Sequence, residues 1–220
     1  KTYGLSNNTV LSVFEDNSGN VWLGLDNGIN CINLKSPFKL YRDIQGEIGT
    51  VYAAATNDKY LYLGTNQGLF YKEVNETGDF SLVSETMGQV WVLREINGQL
   101  FCGHDKGTFL VDGINATQIS YEKGTWDIKS VPEEDKLLIQ GNYKGLSLLR
   151  QNSDGKWTFY QKLNDYEMSS RYFEFIDPKN LLVSHEYKGV FKISIDNDWS
   201  RVASINKLDI DKGISSSIFR

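Results

Sequence analysis

The chain has 220 residues, 40% of them hydrophobic and 23% charged, with a net charge of −5, two cysteines and two histidines. That composition supports a full buried core and excludes a disordered segment. The acidic balance lacks the basic footprint of a nucleic-acid binder. No apolar run approaches the roughly 18 residues of a membrane span, and no signal peptide opens the chain.

In chain order, five segments superimpose: VLSVFEDNSGNVWLGLDNGINCINL from Val10, VYAAATNDKYLYLGTNQGLFYKEV from Val51, VWVLREINGQLFCGHDKGTFLVDG from Val90, WDIKSVPEEDKLLIQGNYKGLSLL from Trp126 and YFEFIDPKNLLVSHEYKGVFKISI from Tyr172. A G-x-x-x-G turn anchors them: Gly24 and Gly28, Gly64 and Gly68, Gly103 and Gly107, Gly141 and Gly145. In the fifth copy His185 stands for the first glycine and Gly189 keeps the second. Successive first positions lie 40, 39, 38 and 44 residues apart. A repeat of that period is a supersecondary unit that buries its apolar face only against its neighbours.

Within each unit the pattern is of strands. Val10, Ser12 and Phe14 alternate with Leu11, Val13 and Glu15, and Val21 to Leu25 is a second short apolar run. Turn signals separate the runs, as at Asn17-Ser18-Gly19, Asp26-Asn27-Gly28 and Asp105-Lys106-Gly107. A glycine closing such a turn adopts positive φ without steric cost, which accounts for the recurring second glycine. A fourth run follows, such as Phe38 to Arg42, Phe80 to Val83 or Trp157 to Gln161. Four antiparallel strands per unit of about 40 residues predict an all-β protein of propeller blades, with a β-solenoid as the runner-up. The units cover approximately residues 4–43, 44–84, 85–121, 122–165 and 166–209, and residues 210–220 begin a sixth.

The first unit, GLSNNTVLSVFEDNSGNVWLGLDNGINCINL, closely resembles the two-component-regulator propeller repeat. Gly4, Leu5, Ser6, Asn8, Val10, Asp16, Gly19, Trp22, Gly24 and Gly28 match its pattern in order. The second unit keeps YLGTNQGLF, the third to fifth are degenerate, and GISSSIF from Gly213 restarts the first-strand motif. The resemblance implies a portion of the periplasmic sensor region of a Bacteroidetes-type membrane regulator. Such regions hold one or two seven-bladed propellers, followed by an immunoglobulin-like domain, a membrane helix and a cytoplasmic output, either a histidine kinase or a DNA-binding domain. Many respond to breakdown products of polysaccharides. Membrane attachment would then come only through a helix outside this sequence.

The seven blades that the resemblance implies need roughly 280 residues, so the five units imply an open arc with exposed edges, or one completed by further sequence or by another chain. Exposed strand edges favour association, and a homo-oligomer is the expected partner state.

Little else reads as chemistry. Asp16 in DNSGNVW also resembles the Asp-box of sialidases, where the aspartate caps its own turn. Trp22, Leu63 and Phe101 share a register suited to packing between blades, and Glu133-Glu134-Asp135 reads as a solvated turn. Lys106, Lys144 and Lys188 keep the second turns soluble. Cys31 and Cys102 fall in strands of different units and read as small buried residues, not a disulfide. The sequons at Asn7, Asn75 and Asn115 carry no weight in an Asn-rich chain. The sequence has no metal-ligand spacing, no nucleophile elbow and no Ser-His-Asp arrangement, so neither cofactor nor catalytic residues are expected.

One set points to binding. In an up-and-down blade the second turn and the loop leading to the next innermost strand emerge on one face. The leading positions hold Tyr52, Trp91, Trp126 and Tyr172, with Arg171 before the last; the turns bring Asn66, His104, Asp105, Asn142, Tyr143, Glu186 and Tyr187. Aromatic rings beside amides and charges stack on a sugar and bond its hydroxyls. Tyr52, Trp91, Trp126, Arg171, Tyr172, His104 and Asn142 are thus the candidate site for an oligosaccharide or other small-molecule signal, with Arg171 matched to an acidic group. The alternatives are that the aromatics plug the central channel, that the propeller is a protein-interaction scaffold, or that it is a glycan hydrolase or lyase.

Overall fold

The computed structural model describes residues 4–38, 41, 43, 46–76 and 78–208. Among them are nineteen strands and no helix. Strands β1 (Val10–Glu15), β2 (Asn20–Leu25) and β3 (Ile29–Asn33) form a three-stranded sheet. The second sheet holds β4 (Val51–Thr56), β5 (Tyr60–Thr65), β6 (Leu69–Glu73) and β7 (Ser81–Leu82). The third holds β8 (Val90–Ile96), β9 (Gln99–His104), β10 (Gly107–Asp112) and β11 (Asn115–Ser120). Strands β12 (Asp127–Val131), β13 (Glu134–Gly141), β14 (Leu146–Gln151) and β15 (Trp157–Lys162) make the fourth. Strands β16 (Tyr172–Asp177), β17 (Asn180–His185), β18 (Gly189–Ile195) and β19 (Val202–Lys207) make the fifth. Every sheet is an antiparallel meander in chain order, so each sequence repeat is one sheet. The fourth run expected at 38–42 lies partly outside the described residues, as does the whole of the restart from Gly213.

The chain divides into two compact units, residues 1–44 and 45–220. In the first, β1 is exposed along its length, and Cys31 is exposed rather than buried as the sequence implies. In the second, three apolar layers join successive sheets. Tyr62, Val90 and Phe109 belong to the layer between the second and third sheets, and Phe101, Leu138 and Trp157 to that between the third and fourth. Leu148, Leu181 and Ile193 belong to the layer between the fourth and fifth. Each such side chain, once buried, contributes roughly 1.5–3 kcal/mol. Tyr62, not Leu63, holds the register of Phe101: it is almost wholly buried, and its hydroxyl donates to Gly113 O at 2.9 Å.

The two glycines of each repeat have different tasks. The second has positive φ in all five copies: 100° at Gly28, 155° at Gly68, 135° at Gly107, 86° at Gly145 and 100° at Gly189. The first makes room for a neighbour. A Cβ on Gly64 would lie 2.5 Å from Val90 Cγ1 of the next sheet, and one on Gly103 2.6 Å from Thr125 O. On Gly141 it would run into the Ser170 carbonyl. In the fifth sheet the pairing puts Ser184, opposite Val190, at that register, and His185 opposite Gly189. His185 is therefore not the substitute for the first glycine; one extra residue in the turn shifts the alignment.

The third and fourth sheets are also joined by a closed ring of buried polar groups. Thr125 Oγ1 lies 2.9 Å from Thr108 Oγ1, which donates to Gln140 Oε1 at 2.6 Å. Gln140 Nε2 donates to Ser147 Oγ at 2.8 Å, Ser147 Oγ to Asn142 Oδ1 at 2.5 Å, and Asn142 Nδ2 back to Thr125 Oγ1 at 3.3 Å. With Thr125 donating to Thr108, every bond runs in the same sense. Buried polar groups cost little only when satisfied in this way.

The first hairpin turns are capped by side chains. Asp16 accepts from the backbone N–H groups of Ser18 and Asn20 and from the Trp22 indole N–H. The Trp22 bond, followed by those from Asn20, holds its pKa well below the usual carboxylate range. Asn57 and Asp177 cap their hairpins in the same way. Asp16 is thus a turn cap, and the Trp22 indole is one of its partners.

The glycine contacts make a direct test. Gly141→Ala is expected to cost about 3 kcal/mol in urea unfolding, because the carbonyl it meets is backbone and cannot step aside. Gly78→Ala, where nothing lies within 4 Å, should change stability by less than about 0.5 kcal/mol.

Candidate functional site

Each inner strand of residues 45–220 has an aromatic residue at or next to its start, and the first three of these rings meet. The Tyr52 ring centroid is 5.3 Å from that of Trp91, and Trp91 is 4.6 Å from Trp126. The Arg171 guanidinium continues the row, 4.7 Å from the Trp126 ring and 5.2 Å from Tyr172. Tyr143, from the β13–β14 turn, braces it: its ring lies 5.0 Å from Trp126, and its hydroxyl accepts from Trp91 Nε1 at 3.0 Å. Gly124, at φ +74°, leaves the space that the Tyr143 ring occupies.

Trp91, Trp126, Arg171 and Tyr172 line a cleft of about 550 Å³; Tyr52 extends the row but is not part of the lining. The remaining wall includes four charged side chains absent from the sequence-based site: Arg94, Asp127, Lys129 and Glu174. Arg94 grips Asp127 with two bonds, Nε to Oδ1 at 2.7 Å and a terminal nitrogen to Oδ2 at 3.0 Å. That carboxylate holds the guanidinium pKa above its ordinary value. Lys129 Nζ lies 3.7 Å from Asp127 Oδ2 and is ion-paired with Glu174. Arg171 donates to Glu186 Oε1 at 3.0 Å. The cleft therefore offers ring faces beside fixed donors and acceptors, the equipment of a binding site.

A sequence signal for one of the missed residues does exist. Glu174 follows Tyr172 by two positions, the spacing that repeats a strand face, whereas Lys129 stands at that spacing only from Asp127, itself missed. Arg94 follows Trp91 by three, and a bulge between Val90 and Val92 changes the parity of β8.

His104 and Asn142 do not face the cleft opening as ligand-bonding groups. Both are buried, at 0% and 1% exposure. They occupy one register, directly after the first glycine, and hold the turn from within. His104 Nδ1 accepts from Lys106 N–H at 3.0 Å, and Nε2 meets Thr86 O at 3.1 Å. Asn142 belongs to the polar ring. Thr65 and His185 serve the same register, accepting from Gln67 N–H and Tyr187 N–H respectively.

Comparison with known proteins gives a local match and a shared fold. Residues 4–27 match the profile described as two component regulator propeller. The first sheet is built on that repeat. No curated protein matches the chain. Among solved structures it is similar to the extracellular domain of BT3049 from B. thetaiotaomicron, assigned to a hybrid two component system: TM-score 0.61, 16% identity, 98% of this chain and 30% of that one covered. It is also similar to the extracellular domain of BT4673 from the same organism, assigned to a one component system, with TM-score 0.57, 18% identity and coverage of 98% and 33%. The WD40 β propeller domain of Doa1 aligns at TM-score 0.51 and 11% identity, covering 92% of this chain and 66% of that one. These likenesses establish the propeller fold. The chain spans about a third of the length of the two extracellular domains.

Burial lowers the pKa of His104 from its ordinary 6.5 and outweighs the pull of Asp105, whose Oδ1 lies 2.6 Å from Nδ1. His185, the other histidine, is shifted the same way by burial. The unfolded chain then takes up protons near 6.5 that the folded state refuses, so this contribution to stability is complete above that pH and lost as pH falls through it. The melting temperature should drop by a few degrees between about pH 7.5 and 5.5. His104→Asn, which installs the residue found at this register in the fourth sheet, should remove most of that drop. Asp16 and Asp177, with lowered pKa values, lose their contributions only at more acid pH.

Proposed function

We propose that this chain is a ligand-reading part of the periplasmic sensor region of a membrane-bound two component or one component regulator, and that it recognises an oligosaccharide. The observation that carries the reading is the row of Trp91, Trp126, Arg171 and Tyr172 along one wall of a 550 Å³ cleft. Flat rings cover the C–H faces of a sugar, and the polar groups beside them meet its hydroxyls. The propeller repeat at residues 4–27 supports a sensor role, and the fold shared with two extracellular domains of bacterial regulators supports a place outside the cytoplasm. On this reading the chain catalyses nothing: it binds, and the output lies elsewhere in the protein.

Isothermal titration against oligosaccharides of four to six sugars tests it. Trp126→Ala removes a ring that a bound sugar would cover and should weaken binding by about 2 kcal/mol, roughly 30-fold. Tyr160→Ala, on the outer strand β15, should leave affinity unchanged. Equal binding by the parent and Trp126→Ala would show that the aromatic row is only a plug.

A further inference from the structure

The sequence matches Arg171 to an acidic ligand, and the structure points the other way. We infer that the cleft takes an uncharged oligosaccharide, because each cation on its wall is already neutralised by a protein carboxylate; this rests on the carbohydrate reading above and narrows it. The three cations are Arg94, Lys129 and Arg171, and their partners are Asp127, Glu174 and Glu186. Three positive and three negative groups leave no surplus charge to attract an anion.

Geometry strengthens the point. A guanidinium binds a carboxylate or sulfate through a fork of two parallel N–H groups. On Arg94 that fork is taken, both bonds going to Asp127, whose side chain is only 12% exposed. Arg171 has a terminal nitrogen on Glu186, and its guanidinium carbon lies 4.7 Å from the Trp126 ring centroid and 5.2 Å from that of Tyr172. An anionic ligand would have to displace a carboxylate and leave it unpaired, in a chain of net charge −5 that already repels it. A neutral sugar displaces nothing. Its hydroxyls both donate and accept, so they bond carboxylate oxygens and spare N–H groups alike while the pairs remain in place.

The test is titration of two panels on the same protein. The neutral panel is xylo-, manno-, cello- and arabino-oligosaccharides; the acidic panel is oligogalacturonate and chondroitin sulfate fragments of equal length. A neutral member should bind, with every acidic one weaker by at least about tenfold and with affinity changing less than about twofold as salt rises. Glu186→Gln lies on an exposed turn, frees Arg171, and should raise affinity for an acidic fragment by about tenfold. An acidic fragment that binds the parent more tightly than every neutral one, and weakens with salt, overturns the charge inference while the carbohydrate reading stands. Binding by neither panel overturns both.

Discussion

In residues 45–220 a sheet comes close to the next at a residue that has no side chain. Gly64, Gly103 and Gly141 each sit at the end of the second strand of their sheet, against the segment that leads into the following sheet's inner strand. Any Cβ at these points would hold the sheets apart, and the apolar layers behind them would open by the same amount. Interiors pack at crystal-like density, so that gap would forfeit contacts along the whole layer. The same approach sets where Trp91, Trp126 and Tyr172 begin, because these aromatics stand within a few residues of Val90, Thr125 and Ser170. The candidate site is thus a product of the packing that forms the core.

The residues of this face divide by depth. The outer level carries the rings and Arg171. Beneath it lie His104 and the equivalent Thr65, which accept from turn amides, and Asn142, which bonds the hydroxyls of Thr125 and Ser147; none takes part in the cleft wall. Further along the inner strands come Arg94, Asp127, Lys129 and Glu174, which close on one another as ion pairs. Arg94–Asp127 is partly buried on the Asp127 side, whereas Glu174 is largely exposed, where screening and side-chain entropy offset the attraction.

Much of this was legible in the sequence because it depends on local chemistry. Strand alternation, turn residues and the 40-residue period are properties of short segments, and positive φ at Gly28, Gly68, Gly107, Gly145 and Gly189 follows from the turns themselves. The aromatic positions were legible too, since the loop before an inner strand has one place to go in a meander. What was not legible depends on tertiary surroundings. The first glycine reveals its purpose only beside Val90, Thr125 or Ser170. His104 looks like an exposed turn residue until Thr86, eighteen positions earlier, covers it. Arg94 hides behind a bulge, Ser184 and His185 behind a turn one residue longer, and Tyr62 behind an offset of one from Leu63. The neutrality of the cleft involves three strands and two turns at once, and no local pattern encodes it.

The ring formed by Thr125, Thr108, Gln140, Ser147 and Asn142 has a directional consequence. Because its bonds follow one another head to tail around a closed circuit, each hydroxyl donates once and accepts once, and each amide uses its oxygen and one N–H inside the ring. Reversing the circuit would require both amides to turn over together inside a packed layer, so its sense is locked. The fold thereby carries five polar side chains through its interior with every bond of the circuit made and one direction of donation around it.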